Sequence, residues 1–460
     1  MKKSVLVPLI VASALFMEQL DTSVLSTALP VVARDLGEDP IHLKLAVTSY
    51  LLSLAVFLPI SGWVADRFGA RLVFRVAMVV FMIGSVGCGL SNGIGELIAA
   101  RIVQGIGGAM MTPVGRLVIL RTVSKAELVA SLMWLSVPAI VAPIIGPPIS
   151  GLITTFVSWR WIFWLNVPIG VLGIVVATLY IPNIKADEGV RFDVKGFILV
   201  GLGLATFVTG TTTLGLRIIP LWTVAALLVV GIALLIAYAI YSLQTSEPVL
   251  DLRLLAIPTF RLALLGGSLL RIAVGATPFL LPLLFQVAFG LSALNSGLLI
   301  FISAVGVMAS RFVSVPLLRR FGFRPVLVGG TLAAAIFLGV PAGFTAATPA
   351  FVIMGLLLFS GFFRSMALSC VHALSFADIE TNRLSQGTSI SAVAQQLSLS
   401  AGVTIGAVIL EFSLGGRTGT QLVQSDFVPA FLGLTLIGAA ATIPFLRLDR
   451  AAGAEMAGRH

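Results

Sequence analysis

The sequence consists of apolar stretches of about 20 residues or more, which short polar loops separate. An α-helix needs about 20 apolar residues to cross the hydrocarbon core of a membrane. The pattern therefore predicts an all-α, polytopic membrane protein with fourteen transmembrane helices. The predicted spans are 5–33, 44–65, 72–91, 97–120, 128–155, 160–181, 195–214, 218–242, 261–288, 295–317, 325–345, 349–374, 386–411 and 428–446.

Composition excludes several other classes of protein. Apolar residues make up 58% of the chain and charged residues 10%, whereas a soluble domain carries about 25% charge. The two cysteines, Cys88 and Cys370, lie inside apolar stretches, which argues against a disulfide-stabilised secreted domain. With three histidines and no nucleotide-binding or catalytic pattern, we expect no metal site, no cofactor and no enzymatic activity.

The net charge of +10 could indicate a nucleic-acid partner, but the positions of the basic residues favour a membrane. If the N-terminus is cytoplasmic, 19 lysines and arginines fall in the inside segments and five in the outside segments. Loops on the cytoplasmic side are enriched in these residues. We therefore expect a multi-pass protein of the bacterial cytoplasmic (inner) membrane with both termini inside, partnered by the lipid bilayer and not by nucleic acid.

A short basic motif occurs twice in the chain. Residues 66–71 read DRFGAR and residues 319–324 read RRFGFR, 253 positions further on. The repeat predicts two six-helix halves at 1–184 and 258–446, a transmembrane hairpin inserted at 185–257 with its flanking cytoplasmic loops, and a cytoplasmic tail at 447–460. Two related halves around a site at the membrane midplane are typical of secondary transporters.

Five segments carry a resemblance to a known family. They are Leu20-Asp21-Thr22 with Ala28-Leu29-Pro30, the loop 62–71, the segment 101–109, the segment 142–151, and Trp159-Arg160-Trp161 with Asn166-Val167-Pro168. In this order they resemble the fourteen-span drug:proton antiporter branch of the major facilitator superfamily. The fourth segment departs from the family motif at Ala142 and Ser150, where the motif has glycine. The resemblance implies the major facilitator fold and a proton-coupled exporter, and we expect a monomer.

Ionisable residues in the first span are the strongest functional candidates. Glu18 and Asp21 lie three residues apart and so share a helix face. A charged residue inside the membrane is costly and usually marks a functional site. We predict that Asp21, with Glu18 as a second candidate, couples transport to protons. Arg101 is a fixed positive charge that would pair with one of them, and a permanent structural ion pair is the alternative.

Other motif residues are expected to pack helices or to control access. The glycines after Arg101 should let a neighbouring helix approach closely. Asp66, Arg67 and Arg71 should form a state-dependent ion-pair latch between the halves, or serve as topology charges alone. The segment around Gly146 should seal the outer side, as the resemblance implies. The residues of this group are Gly62, Asp66, Arg67, Gly69, Arg71, Gln104, Gly105, Gly146, Pro147 and Gly151.

Basic residues within the predicted spans outnumber the acidic ones. Arg271, Arg311 and Arg364 lie in spans of the second half, and arginine binds carboxylate or phosphate well. The cargo is therefore a lipophilic drug-like compound by resemblance, or an organic anion such as a polycarboxylate or an anionic metal chelate. Arg311 and Arg364 could instead extend to the membrane surface. The candidates for binding the substrate are Arg271, Gln286, Phe363, Arg311, Arg364 and Asn166.

Overall fold

The structure, a computed structural model, describes residues 3–122, 128–181, 192–213, 219–380, 383–415 and 422–449. The side chains of Arg116 and of 128–140 are not among those described. Thirteen helices in the described ranges are long and apolar enough to cross a membrane. A fourteenth helix, Leu128–Phe156, has an apolar described part from Val141 onward. The prediction of an all-α, polytopic fold is confirmed.

The helices follow one another with short connections, because glycine, proline or a polar loop ends each apolar stretch. We keep the predicted ranges as names: the first half for 1–184, the hairpin for 185–257 and the second half for 258–446. The first of these ranges contains α1 Lys3–Leu36, α2 Lys44–Phe57, α3 Ser61–Phe68, α4 Ala70–Leu90, α5 Ile94–Thr122, α6 Leu128–Phe156, α7 Trp161–Trp164 and α8 Asn166–Tyr180. The hairpin contains α9 Val194–Thr213 and α10 Leu221–Gln244. The second half contains α11 Pro258–Gly275, α12 Thr277–Leu283, α13 Ala293–Phe321, α14 Phe323–Gly339, α15 Ala350–Ser375, α16 Leu384–Ser413, α17 Gln424–Ala440 and α18 Thr442–Leu446. A π-helical turn at Leu284–Ala288 follows α12.

Two pairs of glycines occupy equivalent turns in the two halves. Gly69 has φ 95° and Gly322 has φ 84°, each at the Phe-Gly of the repeated motif. Gly37 and Gly290 both have φ 68°; Gly37 follows α1, and Gly290 follows α12 and its π-helical turn. Residues that carry a side chain rarely adopt a positive φ, so glycine is needed at these turns. Both pairs are 253 positions apart, which indicates that the two halves begin with the same helix–turn–helix register.

The two halves pack tightly at one end of the bundle, which we call the far end. It lies opposite the start of α1 and includes the loop between α1 and α2. Here α6 lies against α13, and α2 lies beside α16. A β-carbon at Gly151 would lie 2.6 Å from the α-carbon of Leu294, and one at Gly297 would lie 2.3 Å from the carbonyl oxygen of Pro147. Glycine at these two positions therefore permits the close approach of the halves.

The hairpin packs on the side of the bundle. α9 contacts α2 and pairs with α10, whose apolar side chains are largely exposed. Asp193, just before α9, accepts hydrogen bonds from the Tyr241 hydroxyl at 2.7 Å and from the Val249 amide at 3.2 Å. These bonds fix the two ends of the hairpin to each other.

Candidate functional site

Asp21 lies midway along α1 and is 1% exposed. Its Oδ2 accepts a hydrogen bond from Arg101 Nη1 at 2.5 Å. Its Oδ1 accepts bonds from Gln104 Nε2 at 2.8 Å and from Asn166 Nδ2 at 2.9 Å. Ser85 on α4 connects the two amides, since its hydroxyl accepts bonds from both, at 2.7 and 2.9 Å. Side chains from α5 and α8 thus meet at one carboxylate of α1, and Ser85 of α4 binds the two amides. We call this set of residues the Asp21 network.

Arg101 connects the Asp21 network to a further helix. Its Nε donates to the carbonyl of Ala46 on α2 at 3.2 Å, and its Nη1 also donates to Gln104 Oε1 at 2.5 Å. The guanidinium carbon lies 4.1 Å from the centre of the Tyr50 ring, which is also on α2. A desolvated cation over an aromatic face gains about 2 kcal/mol. Arg101 therefore holds α1, α2 and α5 together through charge, hydrogen bonding and ring contact.

The glycines that follow Arg101 let the helices come close enough for these bonds. A β-carbon at Gly105 would lie 2.8 Å from the carbonyl oxygen of Tyr50 and 2.5 Å from the side chain of Ser53. One at Gly107 would lie 2.5 Å from the Phe81 amide nitrogen on α4. The motif thus brings both α2 and α4 against α5, and its polar residues reach across the resulting contacts.

Glu18 lies one turn before Asp21 and belongs to a separate contact. Its Oε2 accepts a hydrogen bond from the Thr112 hydroxyl of α5 at 2.8 Å, and the residue is 9% exposed. Glu18 is therefore more accessible than Asp21, and Thr112 lies 11 residues after Arg101, about three turns along the same face of α5. The two carboxylates lie on the same helix but bind different partners on α5.

The segment 142–151 of α6 contacts helices of both halves. Gly146 lies against α1, where a β-carbon would be 2.3 Å from the Ser23 hydroxyl. The Ser150 hydroxyl donates to the carbonyl of Val24 at 2.6 Å. On the other side, Pro147 and Gly151 meet α13 at the far end. The serine that departs from the family motif is thus used in a hydrogen bond to α1.

The basic loop at the opposite end of the bundle contacts the end of α8. Arg71 Nη1 lies 3.3 Å from the carbonyl of Ile181 and 3.5 Å from that of Thr178 at the end of α8. These contacts of Arg71 fall within the first half, and the state-dependent latch between the halves stays a prediction. Arg67 and Gly62 are exposed, Asp66 is half-buried, and Gly69 makes the turn into α4.

In the second half the structure brings Arg271 together with a histidine. Arg271 is 4% exposed, and its Nη2 lies 3.3 Å from Nε2 of His372 on α15. Arg364 is half-buried and lies eight residues before His372, so the two residues share one face of α15. Arg311 is exposed. The structure therefore separates Arg271 and Arg364, which lie within the bundle, from Arg311, which lies on its surface.

The other predicted substrate residues occupy contacts within the protein. Gln286 Nε2 donates to the carbonyl of Thr27 at 2.8 Å and joins the two halves at the far end. The Phe363 ring stacks on Phe337, with centroids 5.4 Å apart, at the contact of α15 with α14. Asn166 belongs to the Asp21 network.

Ser85, Tyr50 and His372 were not predicted as functional residues. Each interrupts an apolar helix, and His372 follows Arg364 at helical spacing, which is the signal that could have identified it. Within the described ranges, no group of three or more histidine, cysteine or acidic residues is arranged to hold a metal ion.

Comparisons with known proteins show the family to which the chain belongs. The Major Facilitator Superfamily model matches residues 11–277. The chain is 36% identical over 449 residues to a Salmonella paratyphi B protein provisionally named multidrug resistance protein MdtD, covering 95% of this chain and 94% of the relative. The protein of the same name from Salmonella typhimurium is also 36% identical over the same length.

Solved transporter structures share the fold. A D-xylose-proton symporter superposes with a TM-score of 0.70 at 15% identity, covering 96% of this chain and 97% of that chain. A POT family transporter in complex with 5-aminolevulinic acid gives 0.67 at 16% identity, covering 95% of each chain. At this identity the likeness concerns the fold alone.

Proposed function

Because the chain belongs to the major facilitator superfamily and is a membrane transporter and not an enzyme, we propose that it is a proton-coupled exporter that works by alternating access. The proposed cargo is a lipophilic, drug-like compound, in keeping with the name of the MdtD relatives. The proposed location is the bacterial inner membrane with both termini in the cytoplasm. The far end would then face outward and is the closed end here.

The observation that carries the proposal is the set of donors around Asp21. Both oxygens of the carboxylate accept hydrogen bonds from N–H groups, as an ionised carboxylate does. Oδ2 accepts its bond from Arg101. A proton on Oδ2 would take the place of that bond and release the guanidinium. Gaining or losing a proton would therefore change how α1, α2 and α5 are held together, which gives the two states different proton affinities. Coupling requires such a difference in affinity.

Uptake into proteoliposomes tests the proposal. Ethidium is the probe, and a pH gradient is imposed in the direction that would drive antiport. We expect gradient-driven uptake by the parent protein and its loss in Asp21→Asn. Asp35→Asn is the control and should retain uptake, because Asp35 lies at the far end and pairs with Arg160. Equal gradient-driven uptake by parent and Asp21→Asn would overturn the assignment of proton coupling.

A second candidate cargo, an organic anion, is favoured by one observation. Arg271 is buried beside His372, and its contacts include no acidic residue among those described. A buried charge is costly without a partner, and a carboxylate cargo would supply one. Citrate uptake that is lost in Arg271→Gln and retained in Arg311→Gln would support this cargo, because Arg311 is exposed. Absence of citrate movement by the parent would exclude it.

A further inference from the structure

The inserted hairpin packs over one of the places where the two halves meet. Its first helix, α9, contacts α2 of the first half and α16 of the second half. On the α2 side, a β-carbon at Gly201 would lie 3.4 Å from a methyl carbon of Val56, and the ring centres of Phe197 and Phe57 are 6.2 Å apart. α9 therefore follows α2 closely along the part of α2 that leads away from the far end.

α9 also fills the space between α2 and α16, which we call the α2–α16 crevice. Val200 and Leu204 of α9 belong to one buried apolar cluster with Ala55 of α2 and with Ile390 and Val393 of α16. Each of these side chains is at most 5% exposed. Side chains of three helices are thus packed into one core at this crevice.

The sequence repeat supplies a counterpart of this crevice within the same molecule. The offset of 253 positions that relates Gly69 to Gly322 also relates α2 to α13 and α6 to α16. The contact of α6 with α13 therefore corresponds to the contact of α16 with α2. We call the space beside it the α6–α13 crevice. The hairpin lies once in the chain, between the repeats, and α9 packs on the α2–α16 side.

The α6–α13 crevice opens with distance from the far end. Gly297, Ala304, Met308 and Phe312 lie along one face of α13, at helical spacing. Gly297 lies against Pro147 of α6 at the far end, and Ala304 is buried. Further along, Met308 is 42% exposed and Phe312 is 79% exposed. The face of α13 that contacts α6 therefore becomes accessible as the helix leaves the far end.

The corresponding position of α2 stays buried. Ala55 precedes Met308 by 253 positions and is 0% exposed. The difference coincides with the hairpin, because Ala55 packs in the cluster that contains Val200 and Leu204 of α9. The hairpin is thus the feature that makes the two crevices unequal.

We propose that the hairpin seals the α2–α16 crevice against the bilayer, and that the α6–α13 crevice is the side entrance for a lipophilic cargo. A cargo dissolved in the bilayer reaches Met308 and Phe312 without entering water, so it keeps the free energy that it gained by leaving water. In the proposed orientation these side chains lie toward the cytoplasmic leaflet. The inference rests on the proposed function for its cargo and orientation, and it does not depend on proton coupling at Asp21.

Photolabelling from the bilayer tests the seal. A small lipophilic diazirine is dissolved in nanodiscs that hold the parent protein, and labelled peptides are quantified by mass spectrometry after illumination. We expect at least about fivefold more label in 305–312 than in 52–56, because a close-packed contact excludes the reagent. Equal labelling of the two segments would overturn the seal.

Substitutions in α9 show whether the hairpin is responsible for the seal. Leu204→Ala leaves a cavity at the contact with α2 and α16, so the label in 52–56 should rise at least about threefold. Leu202→Ala is the matched control and should leave the label unchanged, because Leu202 is 52% exposed on the same helix. Val200→Ala replaces Leu204→Ala if that variant does not fold. Unchanged labelling in the folded variant would show that α9 does not form the seal.

The rate of cargo binding tests the side entrance. Met308→Cys is modified with a bulky maleimide, and ethidium binding to the protein in nanodiscs is followed by its fluorescence. We expect the association rate to fall at least about fivefold while Kd stays within about twofold, since an obstructed entrance slows arrival and departure alike. Leu202→Cys with the same label is the control. The parent protein is treated in the same way, because Cys88 and Cys370 are buried.

The outcomes separate this inference from the proposed function. An unchanged association rate in labelled Met308→Cys would overturn the side entrance. If the parent protein does not bind ethidium, the side entrance fails together with the proposed cargo, while photolabelling still decides the role of the hairpin. A failure of proton coupling in the uptake experiment leaves both parts standing, because neither measurement uses a gradient.

Discussion

Arg101 and Asp21 form an ion pair in which neither side chain is more than 1% exposed, with Nη1 of the arginine 2.5 Å from Oδ2 of the aspartate. The same guanidinium reaches the carbonyl of Ala46 and lies over the Tyr50 ring. One side chain of α5 therefore holds the first two helices of the chain. A change in the charge of Asp21 would act on all three helices at once.

Gln104 should contribute measurably to stability through this network. Its amide donates to both Asp21 and Ser85, and its carbonyl oxygen accepts from Arg101. Gln104→Leu leaves these buried groups with fewer partners, so we expect a loss of about 1–3 kcal/mol. Thermal unfolding in detergent measures the loss.

Thr206→Val is the control for Gln104→Leu, because the Thr206 hydroxyl bonds to the backbone of its own helix at 2.7 Å. This variant should unfold close to the parent protein. A Gln104→Leu protein as stable as the control would mean that the network contributes little to the fold.

Tyr50 should stabilise Arg101 through its ring. The guanidinium carbon is 4.1 Å from the ring centre, and Tyr50 is 1% exposed. Tyr50→Leu removes the aromatic face and should cost about 2 kcal/mol or more, because the contact is desolvated and the volume also decreases. Tyr50→Phe keeps the ring and should cost less than half as much. Equal losses of stability in the two variants would point to the hydroxyl group and not to the ring.

Gly297 should control closure of the far end. A β-carbon there would lie 2.3 Å from the Pro147 carbonyl oxygen, which is backbone and cannot rotate away. We therefore expect Gly297→Ala to separate α13 from α6 and to lower transport of the ethidium probe at least about tenfold. The matched control is Gly355→Ala, since nothing lies within 4 Å of a β-carbon at that helical position. Similar uptake by both variants would show that this contact does not limit the transport cycle.

The fold could be predicted from the sequence because the features that determine it are local in the chain. Span length and loop charge each depend on residues close together in the chain, and the all-α, polytopic architecture followed from them. The repeat was visible at Gly69 and Gly322, where Phe-Gly marks the turn. The equivalent turns at Gly37 and Gly290 were missed, because the residues around them differ and the shared feature is a backbone angle.

The candidate site was less predictable because it depends on how helices dock. Asp21 and Arg101 stood out as charges inside apolar stretches. The sequence predicted that Arg101 pairs with Asp21 or with Glu18. Asn166 was predicted to contact substrate, and its bond to Asp21, 145 residues away in the chain, was not predicted. Gln286 likewise reaches Thr27 across 259 residues. Such contacts follow from the angle between helices, which a single sequence does not contain.

The central claim is that Asp21 alternates during transport between carrying a proton and pairing with Arg101. Proton release on ligand binding is its most direct test. The purified protein, in weakly buffered detergent solution, is mixed with ethidium, and a pH indicator records the protons released. The account predicts release by the parent protein and none by Asp21→Asn, with ethidium still bound by both. Release of the same number of protons by Asp21→Asn would contradict it.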